Sequence, residues 1–284
     1  MGPGRRIKGD TMISARLLKL ALAAGLAGLL AACGHQVQTT SGSQYLSAYD
    51  SESGQTAATD AEIALAADVE PQLRFPARIG LARIGPDGLA PIPAAEADSW
   101  VALAERLGGG YGEFVPVSPL IAALATPESD ARTVTCKAVR CFEMPKNRLA
   151  SVVRQVRLGA ARQHLDAVLI YETFGRSEES SNPLALTKLA LIGFFLPTES
   201  VEAEGAAQAV LVDVRNGYTY GTASAVAEKP ASRLTTVADS GDAHVSARAE
   251  AEARAVTGLA VEVEAMVRDL RLALAEGRAA GRLP

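Results

Sequence analysis

Histidine and cysteine are both rare in this chain, three of each in 284 residues. The histidines are His35, His164 and His244, and none lies near the cysteine pair Cys136 and Cys141 in sequence. That scarcity argues against a structural metal centre, which needs about four such ligands at close spacing. Positive charge is also in deficit, with 28 basic against 32 acidic residues. The first 32 residues hold five of the basic residues and one acid, so the remainder carries 23 against 31, a net −8. A net-acidic body argues against nucleic acid as a partner, and against adhesion to anionic lipid through surface charge. Aromatic residues are few, one tryptophan, six tyrosines and six phenylalanines, while alanine is abundant. Small side chains in that proportion suggest helices packed closely on a sheet. No G-x-S-x-G and no H-E-x-x-H occurs, so neither a nucleophile elbow nor a zincin helix is present.

What is present begins at the N-terminus. Arg16 and Lys19 precede an uncharged apolar run from Leu20 to Ala32, which closes as Leu30-Ala31-Ala32-Cys33. Basic flank, short apolar core and small residues before a cut make an export signal. The run is shorter than the roughly 20 residues a membrane span needs. It resembles the lipobox of bacterial lipoproteins. The resemblance implies cleavage between Ala32 and Cys33 and lipidation of the Cys33 thiol, with acyl chains enough for stable anchoring. Gly34, where Asp would signal inner-membrane retention in the enteric sorting rule, implies the periplasmic face of the outer membrane. Met12 just ahead of the basic flank is an alternative start.

Lipidation of Cys33 leaves an even pair in an oxidising compartment. A Cys136–Cys141 disulfide is the preferred reading. Two free thiols come second and a metal site last.

Residues 33–74 are expected to be a lipidated flexible tether, rich in Ser, Thr, Gly and Gln from Gly34 to about Thr59 and with a short helical pattern over 60–70, that lets the domain reach away from the membrane. A single α/β domain is expected over 75–284, a small mixed sheet with packed helices and a long C-terminal helix. Ile79, Leu81 and Ile84 mark a strand closed by the turn cluster Gly85-Pro86-Asp87-Gly88. Trp100, Leu103 and Leu107 stripe a helix over Ala94 to Leu107. The glycines Gly108, Gly109, Gly110 and Gly112 make a turn without the Lys-Ser/Thr of a phosphate loop. A strand at Glu113 to Val117 and a short helix at Leu120 to Ala125 follow. A helix from a cap at Asn147 to about His164 runs into the buried strand Ala167 to Tyr171, an α/β signature. Gly175 to Ser181 is expected as a polar loop carrying Arg176, Glu178 and Glu179. Asn216-Gly217 suggests a type I′ hairpin between Ala209–Val214 and Tyr218–Ala227. A final helix spans about Ala243 to Glu276. The apolar run Leu184 to Leu196 reads first as core, and second as a segment inserting into lipid or a partner.

These parts together, Cys33, the strand Arg78 to Ile84, Leu165 to Glu172 and Val212 to Gly221, resemble periplasmic α/β lipoproteins. Among these are the curli-secretion lipoprotein, activators of penicillin-binding proteins and the TolB amino-terminal domain. The closer resemblance is to the rhombotarget lipoproteins, although Gly277 to Pro284 lacks a Gly-Gly motif with a hydrophobic tail. No catalytic residues are implied, and no cofactor is expected. The expected function is a non-catalytic binding or scaffolding module docked on an envelope protein. An oligomeric secretion-pore or export accessory subunit is the alternative, and an envelope hydrolase a third reading. Self-association is left open.

Cys33→Ser is expected to abolish palmitate incorporation and cleavage after Ala32. Metabolic labelling and the mass of the mature N-terminus read both.

Overall fold

A computed structural model describes residues 34–49, 58–125, 148–181, 199–235 and 240–283. Among the described residues eight strands form one mixed open sheet, with six helices. Strand β1 is Gly34–Val37, followed by helices α1 (Gly42–Tyr49) and α2 (Ala58–Ala67). Strands β2 (Ala77–Gly85) and β3 (Gly88–Ala90) form a hairpin, then come α3 (Ala94–Leu107), β4 (Gly112–Pro116) and α4 (Pro119–Ala125). Helix α5 (Arg148–Arg162) leads into β5 (Ala167–Ser181), and then β6 (Glu199–Asp213), β7 (Thr219–Val226) and β8 (Ala231–Thr235) complete the sheet. Helix α6 (Ser240–Ala279) ends the order. The sheet runs β1-β7-β6-β5-β2-β3, with β4 beside β2 and β8 beside β6. β2 is parallel to both β4 and β5, and the pairs β1·β7, β7·β6, β6·β5 and β6·β8 are antiparallel. The expected α/β class with a mixed sheet and a long C-terminal helix is what the chain adopts.

One face of the sheet carries the main core. Ile79 and Leu81 of β2, Leu169 and Tyr171 of β5, Leu211 of β6 and Tyr220 of β7 meet Trp100 and Leu103 of α3 and Leu259, Val263, Met266 and Leu270 of α6. The opposite face is covered at its β2–β5 end by α5, through Val152, Val156 and Ala160 against Val168 and Ile170. Helix α6 is 40 residues long, about 60 Å at 1.5 Å per residue. It lies along the β5–β6 ladder of 15 paired residues, itself about 50 Å. Its N-terminal half faces the ladder with Ala247 and Ala251, against Val201, Ala203 and Ala231. Small residues on the helix let its axis approach. At Gly205 the approach is backbone to backbone, since a Cβ there would lie 2.2 Å from the carbonyl oxygen of Ala251.

Three sequence expectations are corrected. The stretch after Cys33 does not leave as a tether. Gly34–Val37 pairs with Ser224–Gly221 as an edge strand, because backbone groups on the free side of β7 offer it a ladder that the local Gly, Ser and Thr content does not reveal. Residues Gly175 to Ser181 are not a loop but the second half of β5, each paired across β6 from Gly205 to Glu199. Their polarity reflects an exposed ribbon face, with Arg176 and Glu178 pointing outward. The β6–β7 connection is not a type I′ turn. That turn requires positive φ at both central residues, and only Gly217 has it, at 81°. The loop is instead organised by Asp213, whose Oδ1 accepts the backbone N–H of Arg215 at 2.8 Å and of Asn216 at 3.3 Å.

The residues Leu30, Ala31, Ala32, Cys33, Cys136, Cys141 and Leu184 to Leu196 lie outside those described. Among the described residues no helix is long and apolar enough to cross a membrane.

Gly205→Val is expected to force α6 off the ribbon. We expect a loss of about 2–4 kcal/mol, the scale of overpacking and strain in a tight contact, read as a fall in the urea midpoint of the purified domain.

Candidate functional site

Three features stand out chemically: a buried ionic node under α3, a clasp on β1, and a trough on the open sheet face. The node begins with Glu96. It lies on the inward stripe of α3 with Trp100, Leu103 and Leu107 and is 2 % exposed. Arg83, from β2, donates its Nε–H to both Glu96 carboxylate oxygens at 3.0 Å. The Tyr171 hydroxyl, on β5, donates to Oε2 at 2.9 Å. Arg83 Nη2 reaches Thr173 Oγ1 at 3.1 Å and Glu252 Oε2 of α6 at 3.4 Å, and Thr173 donates to Glu252 at 3.1 Å. Burial pushes the Glu96 carboxyl above its ordinary value, against the opposing pull of Tyr171 and Arg83. The Tyr171 phenol is pushed up by burial and by the Glu96 charge, and its ring leans on Trp100 at 5.0 Å. One guanidinium therefore ties together a strand, the short helix α3 and the long helix α6.

A crevice of about 440 Å³ opens beside this node, with Arg83, Thr173, Gly175, Arg248 and Glu252 in its lining. It sits past the carboxyl end of β2, the end at which ligand sites collect in parallel α/β sheets. Glu96 is not part of that lining, and both its oxygens are held by Arg83 and Tyr171. The arrangement positions helices rather than presenting an acid to a substrate.

The second feature is His35 on β1. Its Nδ1 is 3.2 Å from Glu262 Oε2 and its Nε2 3.0 Å from Asp269 Oδ2, both on α6. The Asp269 hydrogen bond, with help from Glu262, raises the imidazole above its ordinary 6.5 although partial burial opposes it.

The third feature is a trough of about 610 Å³ on the open sheet face, running from Gly34 and Gln36 across Thr222, Ser224 and Gln208 to Val153 of α5. Its floor is Ile170 and Val210, and its rim offers amides and hydroxyls, with Glu172 bonded to Gln208.

The other histidines are not brought together. His164 follows α5 with φ of 55°, the conformation of a helix end. His244 meets the Ser177 hydroxyl at 3.0 Å. Arg176 and Glu178 pair at 2.7 Å on the exposed ribbon face, and Glu179 belongs to the same strand. No group of three His, Cys, Asp or Glu able to hold a metal occurs among the described residues. No family model and no curated protein matches the chain. Among solved structures, it is similar to the PelC L103M dodecamer from Paraburkholderia phytofirmans, at 11% identity and a TM-score of 0.30, over 69% of this chain and 93% of that one. A TM-score of that size establishes neither common fold nor common function.

Sequence reading passed over Arg83, Glu96, Tyr171 and Glu252. One signal was available: Glu96 occupies the inward position of the stripe that Trp100, Leu103 and Leu107 continue. An acid in an apolar register needs a partner.

Arg83→Met is expected to cost about 3–5 kcal/mol, because it leaves the Glu96 carboxylate buried without its cation. Adding Glu96→Gln should restore part of that loss. A double-mutant cycle on urea unfolding measures the coupling.

Proposed function

We propose that this chain is a lipid-anchored, non-catalytic binding module of the bacterial envelope, held at the outer membrane through Cys33 and docking an envelope protein on its open sheet face. The observation that carries the docking surface is the trough between β1 and α5. Its rim of Gln36, Gln208, Thr222 and Ser224 presents amide and hydroxyl donors and acceptors over an apolar floor, with the Glu172 carboxylate accepting from Gln208. Such a surface suits a partner's main chain or a polar loop, since amides and hydroxyls can satisfy backbone groups and Gln208 already partners the one carboxylate there. The signal Leu20 to Cys33 and the resemblance to the rhombotarget lipoproteins support the envelope address. The buried carboxylate Glu96, bound up in a helix-positioning node, supports a scaffold rather than a hydrolase.

A second reading, an oligomeric secretion or export accessory subunit, is favoured by one specific observation. The apolar sequence Leu184 to Leu196 lies between Ser181 and Glu199, which are the paired far ends of the β5–β6 ribbon. An apolar run joining the ends of a long two-stranded ribbon suits contact with a bilayer or another subunit.

A photocrosslinking amino acid at Gln208 or Thr222 is expected to capture one and the same envelope protein in living cells, while the same probe at exposed Arg176 does not. Identical adduct patterns at all three positions, or none at the trough, would overturn the docking surface. A ladder of crosslinks to the chain itself would instead favour the oligomer.

A further inference from the structure

The start of the sheet and the anchor are one residue apart. Strand β1 begins at Gly34, and Gly34 is already paired with Ser224 of β7. The strand is held along its whole length. His35 sits between Glu262 and Asp269 of α6, Gln38 donates its backbone N–H to the Tyr220 carbonyl at 2.8 Å, and the Tyr218 hydroxyl donates to the Thr40 carbonyl at 2.9 Å. At Gly221 the β1 backbone passes so close that a Cβ would lie 2.3 Å from the Gln36 carbonyl oxygen. One residue of chain spans about 3.5 Å at most. A lipid on Cys33 would therefore sit against this sheet edge with almost no slack.

The chemistry of that edge fits such a neighbour. The residues of β1 and β7 are Gly34, His35, Gln36, Val37 and Thr219 to Val226. Apart from His35, whose ring is clasped by α6, none is ionisable below the tyrosine range. In a chain with 21% charged residues and an excess of acid, the two strands are sparing in charge, and the charges nearest them are Glu262 and the 61% exposed Asp269 of α6 that clasp His35. Val226, at the end of β7 two residues beyond the partner of Gly34, is 44% exposed. Along the chain, charged side chains resume after it at Glu228 and Lys229.

We propose that the β1–β7 edge lies directly on the lipid headgroups, so that the domain is seated on the bilayer in a fixed orientation instead of reaching into the periplasm on a leash. The inference rests on the reading of Cys33 as the lipidated residue, and it adds what that reading leaves free: which surface faces lipid. The partner it fits is a phospholipid surface, met by a polar border that holds its charge in the His35 clasp and has one apolar residue at its end. The far side of the molecule is then the β3 edge, which the strand order places five strands across the sheet from β1, about 24 Å at the usual strand spacing. The trough, which opens beside Gly34, stands within reach of a partner that is itself in or on the membrane.

The test uses the full mature lipoprotein, purified from membranes and reconstituted into phosphatidylethanolamine–phosphatidylglycerol vesicles that carry a brominated-lipid quencher. A fluorescent amino acid replaces Val226 in one preparation and Asp87, in the exposed β2–β3 turn, in another. A third carries twelve Gly/Ser residues inserted between Cys33 and Gly34, enough for about 20 Å of reach, with the probe at 226. The mass of the N-terminal peptide is measured in each. With lipid on Cys33, we expect quenching at 226 to exceed that at 87 several-fold, and the inserted linker to bring 226 down to the level of 87. Equal quenching at the two positions in lipidated protein, or indifference to the linker, would overturn the seating while leaving the anchor intact. An N-terminal peptide without lipid would overturn the anchor and the seating together.

Discussion

The contact on which the rest depends is the close approach of α6 to the antiparallel ladder of β5, β6 and β7. The ladder and the helix have similar lengths, and the helix is buried along its course, through Ala247 and Ala251 at one end and Leu259, Met266, Leu270 and Leu274 towards the other. Small residues set the spacing over the ribbon and large ones fill it over the main sheet. Close packing of this kind tolerates neither a gap nor an added methyl group. The remaining elements take their places from it: α3 is tied to α6 through Arg83 and Glu252, and β1 through His35.

A second set of contacts explains how a polar N-terminal stretch becomes part of the fold. Asp213 is fully buried and accepts the Tyr220 hydroxyl at 2.6 Å. That hydroxyl oxygen accepts in turn from the backbone N–H groups of Gln72 and Leu73, at 3.0 and 2.7 Å. The Asn216 side chain donates to the Glu70 carbonyl at 2.7 Å. The β6–β7 loop therefore supplies polar partners for the segment that enters β2. Burial and the Asp213 charge together push the Tyr220 phenol above its ordinary value, so the hydroxyl stays protonated and able to donate. Glu70, although partly desolvated, is held below the usual carboxylate range by Ser43 and Ser41, which fastens the start of α1 to the same place. Each of these bonds satisfies a group that would be costly to leave buried alone.

The sequence made the helices legible because their apolar stripes are local. The stripe Trp100, Leu103, Leu107 marks α3, which spans Ala94–Leu107, and the pattern from Val256 to Leu274 marks the last helix. The continuous run Ala167 to Tyr171 marks the centre of β5 for the same reason. The outer half of β5 was not legible, because Arg176, Ser177 and Glu178 have the composition of a loop and become a strand only by pairing with β6. The ionic node was hidden differently. Arg83 and Glu252 are 169 residues apart, and ordinary surface charges look the same as buried ones until the chain is folded.

By itself the sequence determined the α/β class and the positions of the amphipathic helices, since each is encoded over a few neighbouring residues by size or periodicity. Tertiary structure decided the rest: that Gly34 enters the sheet one residue after Cys33, that Asp213 shapes the β6–β7 loop, and that Arg83, Glu96 and Glu252 meet. The physical reason is that strand pairing and burial are satisfied by backbone and side-chain groups far away in the chain. Their free energy depends on the partner that arrives, which no local window of residues contains.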